Sequence, residues 1–491
     1  MAGIVGMSVS PVDGGAAEPE KPNVILCMAD DLGWGDVGYN GNKVIKTPHL
    51  DKMAEAGVRF NRFYAAAPVC SPTRASCLTG RHPFRTGVFF ANVGILRPEE
   101  VTIAEILKKE GYATGHFGKW HLGTFTATEK DGNRGGQPEL VNPPTDHGFD
   151  TYFSTEAKVP TWDPMLVPKK FQGEENRHFG WNAITDKAMA KSFGTNYWTP
   201  NGKATGNMEG DDSRVIMDRV IPFIEKAASS EKPFLAVIWF HAPHLPCVAG
   251  PEYAAMYNEQ DFHMQQYAGC VTAMDDQMGR LRAKLMELGI NENTMLFFTS
   301  DNGPERGAPG SAGPYRERKR SLYEGGVRVP GIMTWPNKVK APFVTDAPVV
   351  TSDYLPTVID VLGLKEPANK LDGVSFLPLL EDKPFTRPSP IAFASQNKRA
   401  VNDEVYKLYF DGRKTELYDL EKDPGERANL AKQQPEVVKS FKEKHALWFE
   451  SCKDSFEGKE YGIKSLETLN QSWPDPANGV IQKKSKKKAK K

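Results

Sequence analysis

The segment CSPTRASCLTGR, residues 70–81, is the most informative stretch of this chain of 491 residues. It follows the pattern C-x-P-x-R and ends in L-T-G-R. A cysteine two residues before a proline is common, but a cysteine with this arginine and this tail is a specific combination. Most free cysteines are buried structural thiols, which is the alternative interpretation. The motif favours a chemical role for Cys70, and the rest of the sequence supplies the context for it.

Two apolar segments that lie far apart in the chain each run into oxygen-bearing side chains. NVILCMA begins at residue 23 and TMLFFTS at residue 294, and such unbroken apolar runs are typical of buried parallel strands. The residues directly after them are Asp30 and Asp31 in one case and Asp301 and Asn302 in the other. Each pair alone would fit an ordinary turn. Because ligands of an open α/β sheet lie beyond the carboxyl ends of its strands, we expect one shared site that binds a cation.

Strand-like and helix-like patterns alternate along most of the chain. From residue 22 to about residue 385 they predict an α/β fold, in which a large, mostly parallel sheet is flanked by helices. The later pattern consists of short strands and one helix: strands at 391–395, 406–410 and 415–420, and a helix at 436–450. It predicts a small C-terminal antiparallel sheet with a helix. We expect four segments: a flexible N-terminal lead at 1–21, a catalytic domain at 22–385, a C-terminal α+β subdomain at 386–475 and a disordered lysine-rich tail at 476–491.

Charge and cysteine content exclude several classes of protein. The 62 basic and 62 acidic residues give a net charge of zero, and residues 483–491 hold seven lysines, so the rest of the chain carries −7. An acidic body is a poor general binder of polyanions, so we expect no nucleic-acid partner. The six cysteines show neither C-x-x-C nor zinc spacing and are too sparse for a disulfide framework. No segment is long and apolar enough to span a bilayer.

The N-terminus gives little information about localisation. Residues 1–20 contain no Lys or Arg, and no apolar run there is long enough for a signal peptide. We expect a secreted, periplasmic or lumenal protein whose signal has been removed or is unrecognised. An intracellular protein is the alternative.

Further motifs occur in a fixed order along the chain: GKWHLG at 118–123, HAPH at 241–244, KRSLYEGGVR at 319–328 and ELYDL at 416–420. With the motif at residues 70–81, they make the chain resemble the formylglycine-dependent sulfatases from about residue 22 to residue 450. These are arylsulfatase-like members of the alkaline phosphatase superfamily. The resemblance implies an alkaline-phosphatase-like fold, hydrolysis of sulfate monoesters, and oxidation of Cys70 to an aldehyde by a maturation enzyme. The aldehyde would hydrate to a gem-diol, in which one hydroxyl attacks sulfur and the other later expels sulfate.

The resemblance also implies a role for each matching side chain. One divalent cation, Ca²⁺ or alternatively Mg²⁺, would be held by all-oxygen donors. Its ligands would be Asp30, Asp31, Asp301, Asn302 and the modified residue 70. Arg74 would orient the diol, and Lys119 and Lys319 would bind sulfate oxygens as point charges. His241 would protonate the leaving alcohol, and His121 would take the proton from the diol.

The substrate is the least determined part of the sequence interpretation. Residues 151–210 form a polar, aromatic insertion that is similar to those of carbohydrate sulfatases. We expect a sulfated polysaccharide or its oligosaccharides, bound by Trp162, Asp163, His178, Trp181 and His244. The alternative is that the tryptophans only pack the insertion against the domain. Other functions left open are an arylsulfatase for small substrates, a phosphodiester or phosphonate hydrolase of the same superfamily, and a catalytically silent glycan-binding relative. The oligomeric state is also left open.

Overall fold

The computed structural model of the protein describes residues 21–462 and Trp473. The predicted lysine-rich tail and nearly all of the predicted N-terminal lead lie outside the described residues. The strands are β1 Asn23–Ala29, β2 Val58–Phe60, β3 Phe63–Tyr64, β4 Ala113–Lys119, β5 Thr151–Thr155, β6 Leu166–Pro168, β7 Ala190–Ser192, β8 Tyr197–Thr199, β9 Gly202–Lys203, β10 Phe234–Trp239, β11 Thr294–Ser300, β12 Arg328–Val329, β13 Gly331–Thr334, β14 Phe343–Thr345, β15 Val349–Val350, β16 Ile391–Ser395, β17 Lys398–Asn402, β18 Tyr406–Phe410 and β19 Thr415–Asp419. The α-helices are α1 Pro48–Glu55, α2 Cys70–Thr79, α3 Pro83–Thr86, α4 Ile103–Lys109, α5 Asp212–Ser229, α6 Pro251–Ala255, α7 Phe262–Glu287, α8 Glu324–Val327, α9 Tyr354–Val361, α10 Leu377–Leu380 and α11 Pro435–Phe456.

A ten-stranded sheet forms the centre of the molecule, in the order β14-β2-β13-β11-β1-β10-β4-β5-β8-β9. The five strands from β11 to β5 are parallel to one another, and β13 and β8 pair antiparallel at either side of them. The predicted α/β fold with a mostly parallel sheet is therefore confirmed. The carboxyl ends of β1, β4, β10 and β11 consequently meet at one edge of the sheet.

Both faces of this sheet are covered, which explains why its central strands lack alternating polar residues. Along β1, Ile25 and Cys27 belong to one apolar cluster, which also contains side chains of α5 and α7. Leu26 and Met28 belong to the cluster on the opposite face, with side chains of α2, α4 and α9. Within residues 21–462 no helix is sufficiently long and apolar to cross a bilayer.

The C-terminal sheet has one strand more than the sequence predicted. Its order is β16-β17-β18-β19, and all neighbouring pairs are antiparallel. The missed strand, β17, has the sequence KRAVN, whose charged start gives no strand signal. Its Arg399 is nevertheless buried, because the guanidinium lies over the Phe449 ring of α11 at 4.4 Å from the ring centroid. The predicted α+β character of this region is confirmed.

A buried polar cluster docks α11 onto the residues that follow the motif helix α2. Asp372 accepts hydrogen bonds from the Arg85 guanidinium at 2.7 and 2.9 Å and from Trp448 Nε1 at 2.8 Å. The Trp448 ring lies between His82 and His445, with ring centroids 4.6 and 5.1 Å apart. Burial lowers the pKa of both histidines to about 3, so each is neutral in the folded protein.

We expect these two histidines to destabilise the fold in mild acid. Their ordinary pKa is 6.5, so the unfolded chain binds protons that the folded protein does not bind until about pH 3. The contribution of the two neutral histidines to the free energy of unfolding is therefore complete above pH 6.5 and is lost as the pH falls. At pH 5 the loss is about 2 kcal/mol per histidine. Urea unfolding at pH 7.5 and pH 5 measures it. His445→Gln should reduce the difference by about 2 kcal/mol, the share of one histidine, whereas His178→Gln, at an exposed position, should leave it unchanged.

Candidate active site

The ends of β1 and β11 bring the predicted acidic residues together. The two strands are parallel neighbours with Ala29 opposite Ser300, so the residues that follow them lie side by side. The backbone N–H of Asp31 donates to Asp301 Oδ1 at 3.1 Å, and Asn302 Nδ2 donates to Asp31 Oδ1 at 2.6 Å. Asp31 has a φ of 65°, a backbone conformation that residues other than glycine rarely adopt. The backbone bends sharply here, directly after the strand.

Cys70 is the first residue of α2, and the helix places it at the same sheet edge. All ten residues of α2 are buried, and the helix ends at Gly80, whose φ of 66° suits glycine. The Cys70 sulfur and one ligand atom each of Asp30, Asp31 and His244 all lie within 4.8 Å of one another. Burial raises the pKa of the Cys70 thiol to about 11, so an unmodified thiol stays protonated at neutral pH.

Three buried cations face the carboxylates. Lys119 Nζ lies 2.5 Å from Asp30 Oδ2, and Lys319 Nζ lies 2.5 and 2.7 Å from the two Asp31 oxygens. The Arg74 guanidinium donates to Asp301 Oδ2 at 2.6 Å. Burial alone would raise the pKa of Asp30, but Lys119 and the other cations lower it well below its usual range. The site thus contains both the negative groups for a metal ion and the positive groups for an anion.

The donor set fits a divalent metal ion. Asp30 Oδ1 and Asn302 Oδ1 are buried acceptor atoms without a hydrogen-bond partner among the described residues. Buried acceptors of this kind are costly unless a donor or a cation satisfies them, and oxygen donors suit Ca²⁺ or Mg²⁺. Asp301 is not among the residues whose ligand atoms lie within 4.8 Å of one another around Cys70. Its oxygens contact the Arg74 guanidinium and the Asp31 N–H instead. His244, predicted as a substrate-binding residue, lies inside the group, and its Nε2 is 3.6 Å from Asp31 Oδ2.

The two predicted catalytic histidines have different surroundings. His121 follows β4 with a φ of 58°, and its Nε2 lies 2.9 Å from Asn92 Oδ1. Its buried Nδ1 has no partner among the described residues. Burial and then the Lys119 charge hold the pKa of His121 well below its usual value. His241 follows β10, and both of its ring nitrogens have partners on other elements.

Sequence analysis missed the partners of His241. Its Nδ1 lies 2.8 Å from Asp212 Oδ2, and its Nε2 lies 2.8 Å from Thr155 Oγ1. Asp212 opens α5, and Asp211 before it caps the helix by accepting the N–H of Arg214. Two consecutive acids at a helix start are easily explained by capping alone. The second acid was the signal that sequence analysis could have used, because one carboxylate is sufficient to cap the helix.

The predicted substrate-binding residues of the insertion differ in exposure. Trp181 is 1% exposed and belongs to an apolar cluster with Val167 and Val248, so it packs the insertion. Asp163 is also buried and forms an ion pair with Lys187 at 2.6 Å. Trp162 lies against Gly250, and only His178 is exposed. Among the described residues, Asp163 and His178 are not part of the group of ligand atoms around Cys70.

The fold and the site define a class of protein: an α/β protein in which carboxylates that could hold a metal ion and cations that could bind an anion meet at the carboxyl ends of the strands. The chain belongs to the sulfatase family, whose profile matches residues 22–364. A second profile, that of the C-terminal region of N-sulphoglucosamine sulphohydrolase, matches residues 315–448. The protein is therefore a sulfuric ester hydrolase of the alkaline phosphatase superfamily, as the motifs predicted. The family implies a divalent metal and a formylglycine made from the motif cysteine.

Individual relatives agree with this assignment. N-acetylgalactosamine-6-sulfatase of Canis lupus familiaris is 30% identical over 81% of this chain and 73% of its own length. Steryl-sulfatase of Rattus norvegicus is 33% identical over 74% of this chain and 71% of its own. Among solved structures, Ps i-CgsB in complex with k-i-k-neocarrahexaose superposes with a TM-score of 0.75. It is 26% identical, and the match covers 91% of this chain and 98% of that one.

Proposed function

We propose that the protein hydrolyses sulfate monoesters on a sulfated polysaccharide or its oligosaccharides. The observation that carries the proposal is the convergence of Cys70 with three carboxylates and three cations at one sheet edge. The carbohydrate class is supported by relatives whose name or title refers to N-acetylgalactosamine and to k-i-k-neocarrahexaose.

We propose that the metal is Ca²⁺. Asp30, Asp31, Asp301, Asn302 and residue 70 would hold it, and His244 is placed beside them. A divalent ion bound by these residues would supply positive charge at the position of the sulfate. With a metal present, Lys119 and Lys319 no longer have to neutralise the carboxylates alone. Their ammonium groups become available to bind sulfate oxygens as point charges.

The proton transfers are assigned to the two histidines. His241 has a carboxylate at Nδ1, and it would protonate the oxygen of the leaving alcohol. The lowered pKa keeps His121 neutral, and its Nδ1 has no hydrogen-bond partner among residues 21–462, so it would act as the base. Arg74 is tied to Asp301 and would orient residue 70, which lies one helical turn before it.

The burial of Cys70 limits when this residue could be modified. Every residue of α2, including Cys70, is buried in the folded protein. A maturation enzyme that reads the sequence around Cys70 would therefore act on the chain before this region folds. We propose such an enzyme as a partner, and a secreted, periplasmic or lumenal location for the mature protein.

Removal of the metal is expected to destabilise the protein. Without it, the buried acceptors Asp30 Oδ1 and Asn302 Oδ1 stay unsatisfied. Adding Ca²⁺ at 100 times its dissociation constant should stabilise the chelated protein by about 2.7 kcal/mol. Asp30→Asn should abolish most of this gain. Thermal unfolding with and without Ca²⁺ measures it, and Mg²⁺ in place of Ca²⁺ tests the choice of ion.

A second acidic group provides the control for this measurement. His49, Asp275 and Asp276 also have ligand atoms within 4.8 Å of one another, away from Cys70. Asp276→Asn should leave the Ca²⁺-dependent gain unchanged. If chelation and re-addition of Ca²⁺ do not change the stability of the unmutated protein, the proposed metal site is wrong.

The proposed function is tested by release of inorganic sulfate from a panel of sulfated oligosaccharides. The protein is first checked for formylglycine, and each sulfate ester is paired with the phosphate ester of the same sugar. Sulfate release without comparable phosphate release is expected. No sulfate release from any glycan by modified, Ca²⁺-loaded protein would contradict the proposal, and preferential phosphate release would favour a phosphoester hydrolase.

A further inference from the structure

The hydrogen bonds around His241 determine where its protons are. The Thr155 hydroxyl donates to the Ala157 carbonyl at 2.7 Å, and a carbonyl can only accept. A hydroxyl has one hydrogen, so Thr155 Oγ1 has only lone pairs left for His241 Nε2 at 2.8 Å. His241 Nε2 must therefore carry a hydrogen and donate it to Thr155.

The other ring nitrogen faces a carboxylate whose second oxygen is already in use. Asp212 Oδ2 lies 2.8 Å from His241 Nδ1, and Asp212 Oδ1 accepts the Tyr197 hydroxyl at 2.6 Å. Burial and the neighbouring Asp212 charge raise the pKa of Tyr197 well above its usual value, so the phenol keeps its proton and donates. An ionised carboxylate is acceptor-only, which requires a hydrogen on Nδ1 as well.

We infer that Asp212 is a positioning residue that holds the His241 ring doubly protonated, so that the ring carries a proton it can give up as an acid. The inference rests on the proposed function, in which His241 is the general acid. The ring, the carboxylate and the phenol are all fully buried or nearly so, which strengthens their electrostatic interaction. Tyr197 is fixed in turn by stacking on Phe153 at 4.2 Å between ring centroids.

His121 has the opposite arrangement, which supports the division of roles. Asn92 Oδ1 accepts from both Asn133 Nδ2 at 3.0 Å and His121 Nε2 at 2.9 Å. The His121 proton is therefore on Nε2, and the lone pair of the buried Nδ1 meets no donor in the part of the chain that the structure describes. The structure thus presents one histidine as an acid and one as a base before any substrate binds.

The charges that face His241 come from the elements packed against it. Asp212 of α5 and Tyr197 of β8 contact the ring directly, and Thr155 of β5 is uncharged. Asp211 and Arg219 act on Tyr197 from further away, with opposite signs. Asp212 is therefore the charged side chain whose removal should change the protonation of the ring most.

The test compares the full-length, Ca²⁺-loaded protein with its Asp212→Asn variant. Asparagine keeps an acceptor oxygen and the shape of the side chain but loses the charge. ¹⁵N NMR of histidine-labelled protein at pH 7, with His241 assigned through a His241→Gln variant, should show both ring nitrogens protonated in the unmutated protein. In Asp212→Asn one ring nitrogen should be unprotonated. The alkaline limb of the kcat/KM profile for sugar sulfates should move to lower pH, since an adjacent negative charge favours the protonated ring.

Two further variants keep the result interpretable. Asp211→Asn makes the same change one residue earlier, keeps a good helix cap and should leave both the NMR signals and the pH profile unchanged. Tyr197→Phe removes the hydroxyl that donates to Asp212 Oδ1 and lies 3.3 Å from His241 Nδ1. The Asp212 charge is then shared with one donor fewer, so the alkaline limb should move in the opposite direction, to higher pH. Tyr197→Phe serves as the test of the inference if Asp212→Asn does not fold.

A neutral His241 ring in the unmutated protein at pH 7 would overturn the inference, and so would an unchanged pH profile in both the Asp212 and Tyr197 variants. The NMR measurement requires no turnover. A protein that shows the doubly protonated ring but hydrolyses no sulfate ester would contradict the proposed function while leaving the inference about Asp212 intact.

Discussion

Replacing Cys70 by alanine is expected to abolish sulfate-ester turnover, with a loss of about 10⁶-fold, the scale observed when a catalytic nucleophile is removed. Alanine lacks the atom from which the aldehyde is made, so no nucleophile can form at this position. The rest of the site should survive, because the side chain of residue 70 makes no hydrogen bond that holds Arg74 or Lys119 in place. Sulfate release from the modified wild-type protein and from the variant measures the loss.

The control is Cys77→Ala, which changes the other cysteine of the same helix. Cys77 belongs to the apolar cluster on one face of the sheet, so its loss should lower stability and leave the chemistry intact. Mass spectrometry of the peptide that contains residue 70 should give a mass about 18 Da below that of cysteine, as expected for a nucleophile made by oxidation of the side chain. A fully active preparation with unmodified cysteine would contradict the role of formylglycine.

The sequence was sufficient for the features that local pattern controls. Apolar runs without alternation indicated strands covered on both faces, and β1 and β11 have the predicted bounds. Thr102 and Glu105 form a capping box at the start of α4, which the local pattern T-x-x-E indicates. Parallel strands put their carboxyl ends at one edge, so residues at the ends of β1 and β11 could be predicted to meet although 270 positions separate Asp31 from Asp301.

Features that depend on contacts between distant elements were not accessible in this way. β17 has a charged sequence, and only its pairing on both sides and the ring beneath Arg399 make it a buried strand. Asp212 looks like part of a helix cap, and Asn92 looks like a loop residue. Each acquires a role only when the fold places it against His241 or His121. The position of His244 beside Asp31 likewise follows from the tertiary fold.

Loss of His241 is expected to affect substrates according to their leaving groups. A sugar alkoxide is a strong base and needs a proton as the bond to sulfur breaks, whereas an activated aryl oxide leaves without one. His241→Ala should therefore slow hydrolysis of sugar sulfates by about 10²–10⁴-fold, the usual contribution of a general acid, and slow that of nitrophenyl sulfate much less. Rates on a series of sulfate esters with leaving alcohols of graded acidity measure the difference.

His121→Ala is the matched comparison, because it should produce a different kinetic pattern. If His121 acts after the alcohol has left, its loss should slow the release of sulfate from the enzyme, while an initial burst of alcohol survives. His241→Ala should give no such burst with sugar substrates, since the first step is then the slow one. Equal losses for His241→Ala on sugar and activated aryl sulfates would refute its role as the acid. His241 would then be a sulfate-binding side chain, and the buried Asp212 would serve to hold its positive charge against the sulfate rather than to supply a proton.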